Sequence, residues 1–577
     1  MLKWIGGRLS RLNMTCTHDD AFCNGHKSLP VRICINYRYA IVLLAIILFA
    51  GMVRYRLLDV PFERDEGEYA YAGQLMLRGI PPYENLYNMK LPGTYAAYAA
   101  ILAVFGQTHR GVHAGLLVVN IATIIALYLL TKRLFGRTAG AVAAACYALL
   151  SVALSVQGVF AHAEHFVMLP VLIGLLVLLS AEEKDDLRRY FLGGIFLGIG
   201  VIMKQHGAAF VIFGALYTLF SRSPENSRGW KRPITRSTVF TVGACMPYAL
   251  TCLVLALTGV FGKFWYWTVS YALRYSTMMP LAGAFESFAG KSLSIVKSFP
   301  LLWILVLIGL TILLWCEPAR KRRLFILLFV LFSLLSICPG LYFRRHYYVM
   351  TLPAAAMLAG AGIVCFRDLL SRIRFGLVLG TIPVILAVAS ILVSIYIQKE
   401  YLFRMTPHQV CRAAYGDNPF PESLEIGRFI RENTSEDDRI AVLGSEPQIY
   451  FYSGRRSATG YVYMYPLMEN HDLALDMQKE MIAEIESNSP KYIVYIQHTS
   501  SWLTAEDSHD ALITWFDRYC KSYKVTGVVE VIREGSQYYW GKDVIWPART
   551  PTWIVVLERK EVKKGVNTGI RYRPRRI

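Results

Sequence analysis

The side chains best suited to chemistry lie in an acidic segment, residues 60–71. It holds Glu63, Asp65, Glu66 and Glu68 with a single arginine, interleaved with aromatic residues and punctuated by a proline and a glycine. This composition is typical of a turn followed by an interfacial helix that holds carboxylates at a membrane surface. A polar loop that leaves a helix would have the same spacing, so the segment alone leaves both interpretations open.

Basic and hydrogen-bonding side chains recur at the predicted ends of later apolar runs. Fixed cations at membrane-surface depth suit a phosphate carried on a lipid, because charge-assisted hydrogen bonds to phosphate are strong. Each residue also has a plainer explanation, such as a snorkelling lysine or a solvated arginine pair. The residues predicted to bind a donor phosphate are Lys90, Lys204, Arg344, Arg345, His346 and Tyr347.

A carboxylate beside such cations can accept the proton of an acceptor hydroxyl. A free aspartate is a weak base with a pKa of about 4. Asp65 would therefore depend on positioning and on cations that stabilise the leaving group. A polyprenyl phosphate is such a leaving group, and Lys90 with the arginines would stabilise its charge as a sugar departs. We predict Asp65 and Glu66 as the catalytic carboxylates.

A second polar cluster, His162, Glu164 and His165, is predicted to lie in another outer loop. We assign it to an acceptor or metal site without naming a metal, because HxxH with one acid is a weak signal and a polar loop is the plainer interpretation. No CxxC pair occurs, so cysteine metal chemistry is unsupported. No cofactor is firmly implied, although Asp65, Glu66, Glu164 and the histidines leave a divalent cation open.

The composition predicts a polytopic α-helical membrane protein. The chain has 577 residues, of which 54% are hydrophobic, and each helical crossing needs about 20 mostly apolar residues. We predict about eleven spans. They are residues 39–55, 113–130, 139–156, 166–180, 190–203, 208–220, 239–257, 301–315, 324–337, 349–364 and 375–397.

The charge pattern predicts the orientation of these spans. The net charge is +20, but the basic residues sit in short loops on one face, as the positive-inside rule requires. This favours anionic lipid and phosphate over nucleic acid as partners. Residues 91–105 are not counted as a crossing, because they are short and would invert every later loop.

Three domains follow from this topology. Residues 1–38 form a cytoplasmic lead-in and residues 39–398 a transmembrane domain, whose first outer loop, 59–112, carries interfacial helices. Residues 399–577 form a small extracytoplasmic α/β domain, with strands near 439–443, 491–496, 525–532 and 552–557 and a helix over 466–487. This tail carries no recognisable catalytic motif.

Two segments resemble a known family. The stretches RDEGEYA (64–70) and YNMKLPG (87–93) resemble the first outer loop of the GT-C glycosyltransferases, in particular the bacterial dolichyl-phosphate-mannose-protein mannosyltransferase-like group that includes the lipid A aminoarabinose transferases. The resemblance covers about residues 38–400, and residues 446–455 resemble the outer domain of some bacterial members. It implies a sugar donor on polyprenyl phosphate, used on the extracytoplasmic side and usually with inversion.

The resemblance also implies roles for single residues. It makes Asp65 the catalytic base, Glu66 an aid in placing the acceptor, and Lys90 a contact of the donor phosphate. Glu164 falls where relatives carry an acid in the second outer loop. Arg345, His346 and Tyr347 correspond to the late outer loop that contacts the lipid phosphate in relatives. Relatives often have Lys-Pro-Pro where this chain has a leucine after Lys90, so the turn differs slightly.

The sequence therefore predicts an integral-membrane glycosyltransferase, multi-pass in a bacterial inner membrane. It would transfer a sugar from a polyprenyl-phosphate donor to a hydroxyl of a lipid, glycan or protein, leaving sugar and acceptor undefined. A lipid or sugar transporter or flippase is the alternative; transporters usually bury ionisable groups near mid-membrane, whereas the charges here gather at the interfaces. An assembly protein whose tail binds partners is a third reading.

Overall fold

A computed structural model describes residues 29–221, 230–372, 376–532 and 535–560. The chain divides into two compact units, Met1–Gly416 and Asp417–Ile577. Most of the predicted cytoplasmic lead-in lies outside the described residues. The boundary comes later than the predicted start of the tail at Lys399, because the intervening segment is tied to the first unit. Tyr401 donates its hydroxyl to the carbonyl of Val152, and Arg56 donates to the carbonyl of Leu402 at 3.0 Å.

The first unit is helical. Its α-helices are α1 Leu29–Arg56, α2 Arg64–Leu77, α3 Pro92–Phe105, α4 His109–Phe135, α5 Arg137–Leu150, α6 Ala163–Lys184, α7 Leu187–Met203, α8 Ala208–Phe220, α9 Lys231–Leu257, α10 Phe261–Trp265, α11 Ala272–Ser276, α12 Leu281–Ser298, α13 Pro300–Trp315, α14 Glu317–Lys321, α15 Arg323–Leu335, α16 Leu352–Leu370, α17 Gly376–Leu379, α18 Ile382–Ile397 and α19 Pro407–Tyr415. Short 3-10 turns occur at Leu154–Val156, Gln205–Gly207, Pro339–Leu341 and Arg345–Thr351, and π turns at Tyr266–Tyr271 and Glu400–Arg404.

Five helices in the described part of the chain are long and apolar enough to cross a membrane. They are Tyr37–Arg56, His109–Phe135, Ala163–Lys184, Lys231–Leu257 and Arg345–Leu370. A sixth is added if α12 and the start of α13, which meet at 105°, count as one broken span. Five shorter apolar helices accompany them. The chain is an integral membrane protein, and the number of eleven spans stays a prediction.

Helix α7, which leads directly into Lys204, packs closely against α9. A Cβ on Gly194 would lie 2.1 Å from the carbonyl oxygen of Phe240, and one on Gly198 would lie 2.2 Å from that of Ala244. Small residues four positions apart let two membrane helices approach to backbone contact. The α7–α9 contact therefore requires glycine at both positions and sets where the chain leaves α7.

The region between α9 and α13, predicted only as an aromatic outer loop, is largely helical. Within it, α12 is amphipathic. Leu281 and Phe285 are 78% and 74% exposed, whereas Ala284 and Ile295 are buried. An exposed apolar stripe on a helix of a membrane protein is typical of contact with lipid. We therefore interpret α12 as a helix that lies against the bilayer.

The second unit is a small α/β domain. Its strands are β1 Arg439–Leu443, β2 Arg456–Ser457, β3 Tyr492–Gln497, β4 Tyr523–Glu530, β5 Gln537–Trp540 and β6 Trp553–Arg559. Its helices are α20 Phe420–Glu432, α21 Gln448–Ser453, α22 Tyr465–Met468, α23 Ala474–Asn488, α24 Thr499–Trp502 and α25 Ala511–Tyr519, with 3-10 turns at Cys520–Ser522 and Gly541–Asp543. The sheet order is β2-β1-β3-β6-β4-β5.

The sheet is mixed. β1 pairs in parallel with β2 and β3, with Val442 opposite Val494, and β6 is antiparallel to both β3 and β4. The central residues Val442, Val494 and Val556 are at most 1% exposed, as expected for β-branched side chains in a strand covered on both faces. The predicted fold class, a helical membrane protein with a small C-terminal α/β domain, is confirmed.

Candidate active site

The acidic segment starts α2 with a capping box. The Glu63 carboxylate accepts a hydrogen bond from the backbone nitrogen of Glu66 at 2.8 Å, and the Glu66 carboxylate accepts one from the backbone nitrogen of Glu63 at 3.3 Å. These two bonds satisfy amides that a helix N-terminus leaves without partners. Asp65 and Glu68, three residues apart, then lie on one side of the helix.

Glu66 is anchored inside the protein. Its side chain is 0% exposed, and its Oε1 accepts from His113 Nε2 at 2.9 Å and from the backbone nitrogen of Ala161 at 2.5 Å. The other ring nitrogen of His113 faces the carbonyl of Leu58 at 2.9 Å, so only the doubly protonated ring can donate to both acceptors. Both Glu66 oxygens are engaged by protein, which favours a structural role over contact with an acceptor.

Asp65 shares Lys90 with a buried carboxylate. The Lys90 ammonium donates to Asp65 Oδ1 and to Glu68 Oε2, each at 2.6 Å. Glu68 also accepts from Asn88 at 2.9 Å and from the Tyr95 hydroxyl at 2.5 Å. The importance of Glu68 was missed from the sequence, although its three-residue spacing from Asp65 was a readable signal.

The opposite charges of Asp65 and Lys90 stabilise each other's ionised form. Burial alone would raise the pKa of Asp65, but Lys90, His346 and His162 hold it well below its ordinary value. Burial opposes the charge of Lys90, yet Asp65 and Glu68 raise the pKa of that lysine above its ordinary value. Both groups are therefore charged at neutral pH, and Asp65 is a weak base that must be positioned to act.

Two histidines from distant segments stack beside Asp65. The rings of His162 and His346 lie 4.0 Å apart and nearly parallel, and His162 Nδ1 is 4.0 Å from Asp65 Oδ2. His162 Nε2 lies 3.2 Å from the Tyr415 hydroxyl, and His346 Nδ1 lies 3.3 Å from Gln157 Oε1. Tyr415 and Gln157 join the site through tertiary packing, and no local sequence pattern points to either.

The donor atoms of these residues meet one requirement of a cation site. One atom each from Asp65, His162 and His346 lies within 4.8 Å of the other two, and carboxylate with imidazole is a common ligand set for divalent metals. His162 Nδ1 is buried and makes no hydrogen bond in the described part of the chain. The neighbouring lysines, Lys90 and Lys204, are each paired with carboxylates, and Glu63 Oε1 lies 3.6 Å from His162 Nδ1. The donor atoms therefore fit a divalent cation, and the surrounding charges do not exclude one.

The other two predicted metal or acceptor residues, Glu164 and His165, are not among the possible ligands grouped with Asp65. Glu164 is 0% exposed and accepts a hydrogen bond from Lys204. The Lys204 ammonium is 4.2 Å from the centre of the Tyr347 ring, and His346 Nε2 is 4.0 Å from Glu164 Oε1. His165 is buried and is not part of the Asp65 group. Of the three residues His162, Glu164 and His165, only His162 reaches Asp65.

One of the two predicted arginines, Arg344, contacts two tyrosines. Arg344 Nη2 donates to the Tyr275 hydroxyl at 3.1 Å, and its guanidinium lies 5.6 Å from the centre of the Tyr342 ring. Arg345 makes no ion pair or hydrogen bond to the residues that the structure describes. The structure thus joins most of the predicted site through direct contacts, namely Asp65, Lys90, His162, Glu164, Lys204, His346 and Tyr347.

Two solved structures match the chain over most of its length. ArnT from Cupriavidus metallidurans bound to undecaprenyl phosphate aligns at 16% identity and a TM-score of 0.52, over 90% of this chain and 98% of ArnT. The oligosaccharyltransferase AglB from Archaeoglobus fulgidus, in complex with an inhibitory peptide and a dolichol-phosphate, aligns at 12% identity and a TM-score of 0.50, over 89% and 75% of the two chains. The chain has the GT-C glycosyltransferase fold.

A sequence match supports the same group. The family described as dolichyl-phosphate-mannose-protein mannosyltransferase matches residues 90–250. The match begins at Lys90, so the acidic segment lies outside it. No curated protein matches the chain. The predicted resemblance to GT-C enzymes, and the predicted enzyme class of glycosyltransferase, are confirmed.

Proposed function

We propose that this protein transfers a sugar from a polyprenyl-phosphate donor to a hydroxyl acceptor at the extracytoplasmic face of the membrane, with inversion of the anomeric centre. The observation that carries this proposal is the exposure of Asp65. Its side chain is 24% exposed, whereas Glu63, Glu66 and Glu68 in the same segment are 4%, 0% and 0% exposed. Asp65 is thus the one carboxylate of the acidic segment that an acceptor can reach.

The arrangement suits a single displacement. The acceptor hydroxyl would lie against Asp65 and pass its proton to that carboxylate while its oxygen attacks the anomeric carbon. The bond from that carbon to the phosphate oxygen breaks, and the phosphate leaves with the electron pair. Lys90 orients Asp65 and keeps it ionised until the proton arrives. Attack opposite the leaving group inverts the anomeric centre.

The similar structures support a lipid phosphate as the donor carrier. Undecaprenyl phosphate is bound to ArnT and a dolichol-phosphate to AglB. We extend this chemistry to the present chain because cationic side chains gather near Asp65. The positive-inside pattern supports a cytoplasmic N-terminus and an extracytoplasmic C-terminal domain. The resemblance to the bacterial group favours a bacterial inner membrane, in which that domain would be periplasmic.

We expect transfer to persist after removal of divalent metal. A cation held by Asp65, His162 and His346 would supply charge stabilisation, but it would compete with the proton and with Lys90 for the Asp65 carboxylate. The measurement is the transfer rate after dialysis against EDTA, with metal analysis of the dialysed protein. A loss of activity that Mn²⁺ or Zn²⁺ restores would reassign Asp65 from base to metal ligand.

An assay with reconstituted protein distinguishes sugar transfer from transport. Proteoliposomes that contain the purified full-length chain and a lipid extract of the source membrane should form a glycosylated product and release polyprenyl phosphate. We expect no counter-transport of donor lipid or sugar above that of empty liposomes. Counter-transport without sugar transfer would overturn the proposal and favour the transporter alternative.

A further inference from the structure

One carboxylate of the acidic segment takes no part in the proposed displacement. Glu68 is 0% exposed. Its carboxylate accepts hydrogen bonds from Lys90 at 2.6 Å, from Asn88 at 2.9 Å and from the Tyr95 hydroxyl at 2.5 Å. All three partners are donors, which is the environment that an ionised carboxylate requires. A fully buried charge is strongly unfavourable unless it is paired and hydrogen-bonded, so a glutamate at this position implies a role that an apolar residue could not supply.

Glu68 is held in place by more than its lysine. Asn88 lies in the loop before α3, and Tyr95 lies on α3 itself. Helix α3 packs against α2 at backbone distance, because a Cβ on Gly73 would lie 2.9 Å from the backbone nitrogen of Ala99. Small residues permit such an approach between helices. The Glu68 carboxylate is therefore a fixed negative charge between two closely packed helices.

This fixed carboxylate and the accessible one meet at a single ammonium. Lys90 Nζ lies 2.6 Å from Glu68 Oε2 and 2.6 Å from Asp65 Oδ1. It also lies 4.7 Å from the centre of the Tyr69 ring, and the Tyr83 hydroxyl donates to the carbonyl oxygen of Lys90 at 2.6 Å. A lysine side chain is a point charge on a flexible stem. The contacts with Glu68 and the tyrosines therefore help to hold that charge against Asp65.

The charges of this group change during the proposed transfer. Before the reaction, two carboxylates share one ammonium. When the acceptor hydroxyl passes its proton to Asp65, that carboxylate becomes neutral and attracts the ammonium less, whereas Glu68 keeps its charge. Without the charge of Glu68, the same proton transfer would neutralise the carboxylate with which Lys90, 19% exposed, is paired. Breaking a largely buried ion pair in this way is costly, and the cost would be added to the barrier of transfer.

We propose that Glu68 is a positioning residue, which fixes Lys90 against Asp65 and remains its counter-ion after Asp65 has taken the proton. This inference rests on the function proposed above. Glu68 acts through Lys90, and it neither gains nor loses a proton in the reaction. The three-residue spacing of Asp65 and Glu68 places both carboxylates on the side of α2 that faces Lys90.

The test is a double-mutant cycle on transfer, because a residue that acts through a second residue loses its effect when the second is removed. The variants are Glu68→Gln, Lys90→Met and the double variant, each purified as the full-length chain in detergent. Apparent kcat and KM are obtained from the release of polyprenyl phosphate at a series of concentrations of a lipid extract of the source membrane. The thermal midpoint of unfolding is measured for each protein.

We expect Glu68→Gln to lower kcat about tenfold and to change KM by less than about twofold. In the Lys90→Met background, the same substitution should change kcat by less than about twofold, since the lysine through which Glu68 acts is gone. A merely structural role for Glu68 predicts instead an equal loss in both backgrounds. Equal losses would overturn the inference, as would Glu68→Gln protein with the kcat of the wild type.

A conservative variant covers the case in which Glu68→Gln folds poorly. Glu68→Asp keeps the charge but is one methylene shorter, whereas glutamine keeps the shape and loses the charge. Because the flexible lysine can follow a shorter carboxylate, Glu68→Asp should retain more of the wild-type kcat per folded protein than Glu68→Gln. The opposite ranking would contradict the role of the charge. The matched control is Glu84→Gln, at an exposed glutamate of the same loop, which should transfer like the wild type.

The same assay separates this inference from the function on which it rests. Wild-type protein that releases no polyprenyl phosphate would remove the proposed function, and the inference with it. Wild-type protein that releases polyprenyl phosphate, together with equal losses in the two backgrounds of the cycle, would remove only the role of Glu68.

Discussion

Replacing Asp65 with asparagine is expected to lower kcat for sugar transfer by about a hundredfold to ten-thousandfold, the usual contribution of a positioned general base. Asparagine has nearly the same shape and can still accept a hydrogen bond from Lys90, which stays paired with Glu68. The protein should therefore remain folded, and binding of the donor should change little. The measurement is kcat in detergent with saturating donor lipid, together with the thermal midpoint of unfolding.

A matched control for Asp65→Asn is Asp59→Asn. Asp59 is about half exposed and pairs with Arg110 at 2.6 Å, outside the group of residues that contact Asp65. Loss of an exposed ion pair of this kind changes stability by less than about 1 kcal/mol. Asp65→Asn protein that transfers sugar at the rate of the Asp59→Asn control would remove Asp65 from the chemistry.

Replacing Glu66 with glutamine is expected to destabilise the protein by about 3 kcal/mol. The change breaks a buried charge pair, and it turns the new amide N–H group toward buried N–H donors. The carboxylate accepts bonds from His113, Ala161 and Glu63, and a single amide oxygen cannot replace both carboxylate oxygens. The measurement is the thermal midpoint of unfolding in detergent, with kcat determined on the fraction that remains folded.

The control for Glu66→Gln is Glu84→Gln, at an exposed glutamate in the same outer loop. That change should leave both the midpoint and kcat near wild-type values. A Glu66→Gln protein with a wild-type midpoint but greatly reduced kcat would contradict the structural role. It would instead support the role in acceptor placement that the family resemblance implies.

Most residues of the candidate site could be predicted from the sequence, because charge is costly in a membrane protein and therefore informative. Asp65 was predicted as the base and Lys90 as a contact of the donor phosphate, and the structure brings their side chains to 2.6 Å. The positive-inside pattern placed the loops of Glu164, Lys204 and His346 on one face, and the structure joins these three residues. In each case the signal was a polar residue next to an apolar run.

Other parts of the site depend on contacts that no local pattern encodes. Glu66 was predicted as catalytic because the acidic motif of the family it resembles falls on Asp65 and Glu66. Its environment, however, is set by His113 and Ala161, 47 and 95 residues away. Helix α12 was not predicted because it carries too many polar residues to be identified as a span. The amphipathic spacing of its exposed apolar residues becomes meaningful only once α12 is known to lie against lipid.

In the C-terminal domain, too, local elements could be predicted from the sequence, whereas their tertiary arrangement could not. Short β-branched runs predicted β1, β3, β4 and β6 to within a few residues, because alternation and composition are local signals. The helix predicted over 466–487 is divided into α22 and α23. The order of the strands, with β6 between β3 and β4, depends on pairing between distant segments and could not be predicted from those signals.

The most direct test of the central claim is the release of free polyprenyl phosphate, measured by mass spectrometry. Purified wild-type and Asp65→Asn proteins are each incubated with a lipid extract from the source membrane that contains donor and acceptor. We predict release of polyprenyl phosphate, with a glycosylated acceptor of matching mass, by the wild type and at most a trace by Asp65→Asn. Equal release by both proteins would contradict the role of Asp65, and release by neither would contradict the proposed transfer reaction itself.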